Sequence, residues 1–140
     1  AVQYSSMCRD EVLFHDPETS QALLDGLPDS WQAYFNLDFY FQTCQDWVEV
    51  PADPVENTPV ASDIPSLVLS GHFDSITAPA WNFDTASYLE NSFYYEFPNL
   101  AHGVLRSDSC ALSMGLEFLD NHWSEPDASC MEGLAAPEFR

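Results

Sequence analysis

An aspartate and a histidine separated by 28 residues carry the best-placed chemistry in this chain. Asp74 lies in Gly71-His72-Phe73-Asp74-Ser75-Ile76-Thr77, and His102 lies in Asn99-Leu100-Ala101-His102-Gly103. A carboxylate that accepts a hydrogen bond from one imidazole nitrogen fixes the ring's tautomer. It also stabilises the imidazolium once the other nitrogen has taken a proton. Such a pair activates a nucleophile, so it needs one nearby. A loop-capping aspartate and an ordinary loop histidine are the plainer alternatives. His72 is two residues before Asp74 and reads as a supporting or surface residue, and His15 and His122 read as surface residues.

The elements around the pair must bring it together. Pro65-Ser66-Leu67-Val68-Leu69-Ser70-Gly71 is a short apolar run closed by glycine, the pattern of a buried parallel strand. Pro79 to Asn91 fits a helix with proline in its first turn, and Ser92 to Pro98 fits a second strand rich in aromatics. Ser107 or Asp108 caps a further helix that runs to about Trp123 and has Leu112, Leu116 and Leu119 on its apolar face. Strand, helix, strand, helix implies an α/β segment with a parallel sheet over residues 65–124. Chemistry in such sheets gathers at the carboxyl ends of the strands, and both Asp74 and His102 follow such ends. Exit loops of adjacent strands lie about 5 Å apart, close enough for the two side chains to bond.

Upstream the pattern differs. Residues 1–50 read as mostly helical. Asp16-Pro17-Glu18 starts one helix, and Gly26 and Pro28 interrupt it. Asp29 or Ser30 caps the next, expected from Trp31 to Trp47 and crowded with Trp31, Tyr34, Phe35, Phe39 and Phe41. These aromatics would either cover a pocket or pack in a core. Residues 51–64 form an irregular connector bearing Pro51, Pro54 and Pro59. Residues 125–140 read as a Pro/Ala/Gly/acid-rich extended tail anchored by Cys130.

Composition limits what the 140 residues can do. Apolar residues make up 46% and aromatic residues 14%, which is core-forming content. Twenty-three acids face three arginines and no lysine, for a net charge of −20. That excludes generic nucleic-acid binding, which needs clustered cations, and argues against anionic membrane surfaces. It keeps a protein soluble, and it could also attract cationic substrates. No apolar stretch long enough for a membrane span and no signal peptide is visible. The chain starts Ala1-Val2, as a processed or internal fragment would. No calcium-loop motif and no C-x-x-C is present, so neither a metal nor a cofactor is expected. The four cysteines permit three pairings, of which the sequence-local Cys8–Cys44 and Cys110–Cys130 are favoured; buried free thiols are the alternative. Two disulfides would place the protein outside the cytosol, secreted or otherwise extracytoplasmic.

A family resemblance joins these features. The stretch from Ile64 to Leu105, with Gly71-x-x-Asp74-x-x-Thr77-x-Pro79 and then His102-Gly103, is similar to the last third of the α/β-hydrolase fold. It resembles the tripeptidyl-aminopeptidase-like and proline-iminopeptidase-like serine hydrolases. Cys110, Pro126 and Cys130 follow the histidine as in that family. Tyr4-Ser5-Ser6-Met7-Cys8-Arg9-Asp10-Glu11 and Cys44-Gln45-Asp46-Trp47 resemble its lid segments. The resemblance implies a helical lid over residues 1–50, a peptide or ester substrate, and Asp74 and His102 as members of a Ser-His-Asp triad. Asp10 and Glu11 would meet a substrate amine from the lid, with solvated helix acids as the alternative. Arg106 is expected in a structural salt bridge with one of the many acids. The departure is large. The fold's nucleophile sits in a G-x-S-x-G elbow ahead of the acid, and these residues contain no such motif. The serine is therefore expected on an N-terminal half that is a separate chain or a missing region upstream, and the unpaired sheet edge is expected to be covered by that half or in a domain-swapped homo-oligomer. Without it, the chain would be a binding or structural module, or an acidic cation-binding protein.

Overall fold

A computed structural model describes residues 2–32, 34–48 and 52–138. The chain divides into two compact units, Ala1–Thr58 and Pro59–Arg140. The expected lid boundary at residues 50 and 51 lies outside the described residues, as does Ala1.

The first unit is helical. Helix α1 (Val2–Ser6) runs into a π-helical turn, Met7–Glu11, and then a 3₁₀ turn, Val12–Phe14. Helix α2 (Pro17–Asp25) starts where the sequence signals it. The Asp16 carboxylate accepts from the Thr19 amide at 2.8 Å and the Thr19 hydroxyl at 2.6 Å, and Pro17 needs no partner in the first turn. Those two bonds pull the Asp16 carboxyl below its ordinary range. The single helix expected from Trp31 to Trp47 is instead divided into α3 (Asp29–Gln32) and α4 (Leu37–Trp47). Asn36 leaves the helical backbone region and its side chain accepts from the Phe39 amide at 3.0 Å, which starts α4 afresh. Asparagine competes well for that capping place. Cys8 in the π-helical turn is disulfide-bonded to Cys44 on α4, and both are wholly buried. Trp47 donates its indole N–H to Ser5 at 3.1 Å and tilts against Tyr4, tying α4 to α1. The disulfide is the centre of this unit, whose other buried apolar side chains among the described residues are Leu24 and Ala52. Trp31, Tyr34, Phe35 and Phe39 are exposed rather than packed in a core.

The second unit is a two-stranded parallel sheet with helices. Strand β1 (Ser66–Gly71) pairs with β2 (Ser92–Phe97) in the register Ser66 opposite Ser92 through Gly71 opposite Phe97. Helix α5 (Pro79–Ser87) makes the crossover. It ends earlier than the expected Asn91, because the chain turns at Tyr88 and Leu89 pairs with Ser62 in an isolated bridge. Short α6 (Val104–Ser107) and long α7 (Ser109–Asp120) follow. Asp108 caps α7 by accepting from the amides of Cys110 and Ala111. Side chains alternate across the sheet. Ser70 and Tyr94 meet α5, where Phe83 stands edge-on to Tyr94 and Asn82 bonds Ser70. Phe93 meets Phe118 of α7. The core is Phe97, Val104, Cys110, Ala111 and Met114, with Leu69, Tyr95 and Leu100 packed against it. The tail adds Ala128, Met131 and Leu134 to that core and is fastened by the Cys110–Cys130 disulfide. Among the described residues each strand is paired along one edge only, and Leu105, Leu112, Leu116 and Leu119 are exposed.

Candidate active site

Asp74 and His102 meet. Gly71 ends β1, and the chain turns so that the Asp74 amide bonds the Gly71 carbonyl at 3.0 Å. The loop after β2 is tied to this turn: the His72 amide bonds the Phe97 carbonyl at 3.0 Å, and the Phe73 amide bonds the Leu100 carbonyl at 2.9 Å. Approach is so close at Gly71 that a Cβ there would strike the Ala101 carbonyl and lie 2.9 Å from the Leu100 oxygen. Glycine is needed at this contact because only it presents bare backbone. On the other side of His102, Gly103 takes the left-handed backbone (φ 82°) that starts α6.

The imidazole Nδ1 of His102 donates to Asp74 Oδ2 at 2.9 Å. An ionised carboxylate can only accept, so Nδ1 carries a proton, and in the neutral ring the lone pair is then on Nε2. Asp74 is 7% exposed, whereas the His102 side chain is 53% exposed. Three further donors reach the carboxylate. The amides of Ile76 and Thr77 bond Oδ1 at 2.8 and 2.9 Å, and the Thr77 hydroxyl bonds Oδ2 at 2.7 Å. Burial opposes the charge of Asp74. The bonds from Thr77, His102 and Ile76 together outweigh it and hold the carboxyl well below the usual carboxylate range. The pair opens on a cavity of 410 Å³, lined among others by Leu67, Leu69, Asn82, Leu105 and Arg106. The arrangement turns Nδ1 to the carboxylate and leaves Nε2 as the ring nitrogen that can take a proton, which suits the withdrawal of a proton from a hydroxyl.

A family model described as TAP-like protein matches residues 31–130. The chain belongs to this family. The TAP-like family is α/β-hydrolase-related, and the parallel strands with flanking helices are consistent with part of that fold. No match was found among curated proteins or among solved structures.

The other singled-out residues fall as follows in this TAP-like chain. Asp10 and Glu11 belong to the first unit, in the π-helical turn, where the Asp10 carboxylate accepts from Ser6 at 3.1 Å and Glu11 is exposed. His72 makes a second histidine–carboxylate pair, with Nδ1 2.6 Å from Glu96 Oε1, and stays exposed. Tyr94 donates to the other Glu96 oxygen at 3.3 Å, and burial first, then the Glu96 charge, pushes its phenol up. His15 and His122 are exposed. The salt bridge expected of Arg106 is not formed: among the described residues no carboxylate pairs with it, and it faces the cavity instead. Nor do three His, Cys, Asp or Glu side chains gather in metal-holding geometry among those residues. Among the described residues no helix is long and apolar enough to cross a membrane. Sequence reasoning gave no role to Thr77 or Asn82. The signal for Thr77 was its place three residues after a loop aspartate, where a hydroxyl and an amide turn back on the carboxylate.

Proposed function

We propose that this chain supplies the acid and the base of a serine hydrolase whose nucleophile is carried by polypeptide outside these 140 residues. The observation that carries the reading is the 2.9 Å bond from His102 Nδ1 to a buried, ionised Asp74 beside an open cavity. In the reaction, His102 Nε2 takes the serine proton as the hydroxyl attacks an acyl carbon, and returns it to the leaving group. Asp74 keeps the ring oriented and balances the imidazolium charge. Water then repeats the cycle and releases the acid.

Support for a separate nucleophile-bearing half comes from the free edge of β1 and from a second, apolar cavity of 230 Å³. Leu67, Leu69 and Leu105 line both cavities, so a polypeptide seated against this surface would reach His102. A second copy of the chain is a poorer occupant, because each copy brings a charge of −20 and no G-x-S-x-G elbow. The substrate we propose is a peptide bond next to a free amino terminus. Asp10 and Glu11 would receive the ammonium, which needs a carboxylate when it loses water. An ester is the substrate if those acids meet no amine. The two disulfides support a place of work outside the cytosol.

The test is intact-mass spectrometry of the native preparation after exposure to a fluorophosphonate probe. A second chain, or a longer form of this one, that gains one probe mass supports the hydrolase; loss of labelling in a His102→Ala preparation assigns the base. This chain alone and unlabelled would sink the proposal in favour of a binding module.

A further inference from the structure

Thr77 touches both members of the pair. Its amide bonds Asp74 Oδ1 at 2.9 Å and its hydroxyl bonds Oδ2 at 2.7 Å, so one residue grips both carboxylate oxygens. The same hydroxyl oxygen lies 3.4 Å from His102 Nδ1. Its proton is directed at the carboxylate, so towards the imidazole it presents a lone pair. The Nδ1–H of His102 therefore sits in a notch between two acceptors, Oδ2 at 2.9 Å and the Thr77 oxygen at 3.4 Å. Oδ1 is already occupied by the amides of Ile76 and Thr77, which leaves Oδ2 as the oxygen that faces the ring. Thr77 is itself held. Asn82 on α5 donates one amide group to the Thr77 carbonyl at 3.2 Å and to the Ser70 hydroxyl at 3.1 Å. Ser70 is 1% exposed, on β1. A continuous set of hydrogen bonds thus runs from the sheet, through α5, to the loop that carries the acid.

We propose that Thr77 is a positioning residue for the His102 base: its amide and hydroxyl lock the Asp74 carboxylate in the rotamer that sets the imidazole plane, and Asn82 anchors Thr77 to the sheet. The proposal deepens the hydrolase reading and rests on it for its catalytic consequence. The lock on Asp74 does not depend on the presence of a nucleophile. The β-branched side chain restricts χ1, so the hydroxyl is preset. Valine keeps that shape and removes the bond. Serine keeps the bond and loses the methyl group.

The first measurement is the carbon-13 titration of the Asp74 carboxyl in this chain, with thermal melts to verify folding. Thr77→Val should move the Asp74 midpoint up by about one unit, since one charge-favouring hydrogen bond is gone. Thr77→Ser should stay near the parent. Should Thr77→Val not fold, Asn82→Ala provides the second variant, and it should loosen the loop and raise the midpoint less. An unmoved midpoint in folded Thr77→Val, or a Thr77→Ser midpoint as high as that of Thr77→Val, overturns the proposal. In the enzyme with its serine-bearing half, Thr77→Val should lower kcat about tenfold with KM unchanged, within the range of a mispositioned base, and Thr77→Ser should restore it. A His102→Ala enzyme that keeps full activity removes the hydrolase reading and leaves the titration result standing. An inactive His102→Ala beside a fully active Thr77→Val removes only the role of Thr77.

Discussion

Asp74 is buried in its loop, and four hydrogen-bond donors from Ile76, Thr77 and His102 stand where water would. Their combined effect depresses the folded-state carboxyl, so the sign of its pH effect follows. A depressed carboxyl contributes stability that is complete above the unfolded value, about 3.9, and is lost as pH falls through the folded value. Thermal melts should accordingly be flat in this group's contribution from pH 7 to about 5 and fall below about 4. Asp74→Asn should flatten that acid-side slope while lowering the melt at pH 7, because a neutral amide still faces the amides of Ile76 and Thr77. An unchanged slope in the variant would show that other acids carry it, Asp16 and Asp127 being the next candidates with lowered values. Tyr95 gives the opposite sign. Burial first, and then its bond to Glu125 at 2.8 Å, pushes the phenol up to about 12. Its contribution is present below the unfolded value of about 10 and disappears as pH rises towards the folded one. Melts of the parent should weaken between about pH 10 and 12. Tyr95→Phe should lack that alkaline component.

The strand end and the tail illustrate what elements add to these side chains. Gly71→Ala puts a methyl group against the carbonyls of Ala101 and Leu100, and backbone cannot swing away as a flexible side chain can. The two loops must separate, at a cost of about 1–3 kcal/mol. Amide exchange should show the Phe73–Leu100 bond opening first, and a melt equal to the parent's would refute the close contact. The Cys110–Cys130 bridge closes a segment of 20 residues and holds Met131 and Leu134 on the core. Replacing both cysteines with serine should lower stability by about 3 kcal/mol in denaturant titrations, with the loss centred on residues 125–138. Much of this was legible in the sequence. The strands were readable because apolar runs closed by Gly71 and Pro98 are short, and the α7 start because Asp108 is a strong cap. The division of the helix at Asn36 was not: aromatic residues on both sides kept a helical spacing, and one capping side chain decided the break. The Thr77 clamp was half legible: its place three residues after Asp74 stands in the sequence, but the loop conformation that turns its hydroxyl back on the carboxylate is one that propensities do not describe. The unpaired Arg106 went against simple counting, because an abundance of acids does not bring one within reach.

At the scale of the molecule, charge and exposed surface pull in different directions. A net charge of −20 spread over a chain with three arginines repels a second copy at long range. The free edge of β1 and the leucines beside it invite association at short range. The balance belongs to the ionic strength. The Debye length shrinks from about 30 Å at 0.01 M salt to about 3 Å at 1 M. Light scattering of this chain alone should thus report monomers at low salt and growing assemblies at high salt. Growth that is indifferent to salt would show that the acids play no protective part. The open edge of β1 has a consequence for how the protein would have to be made. A bare strand edge is sticky until something covers it, so the acidic surface would act as a built-in holdase for as long as the edge stays open.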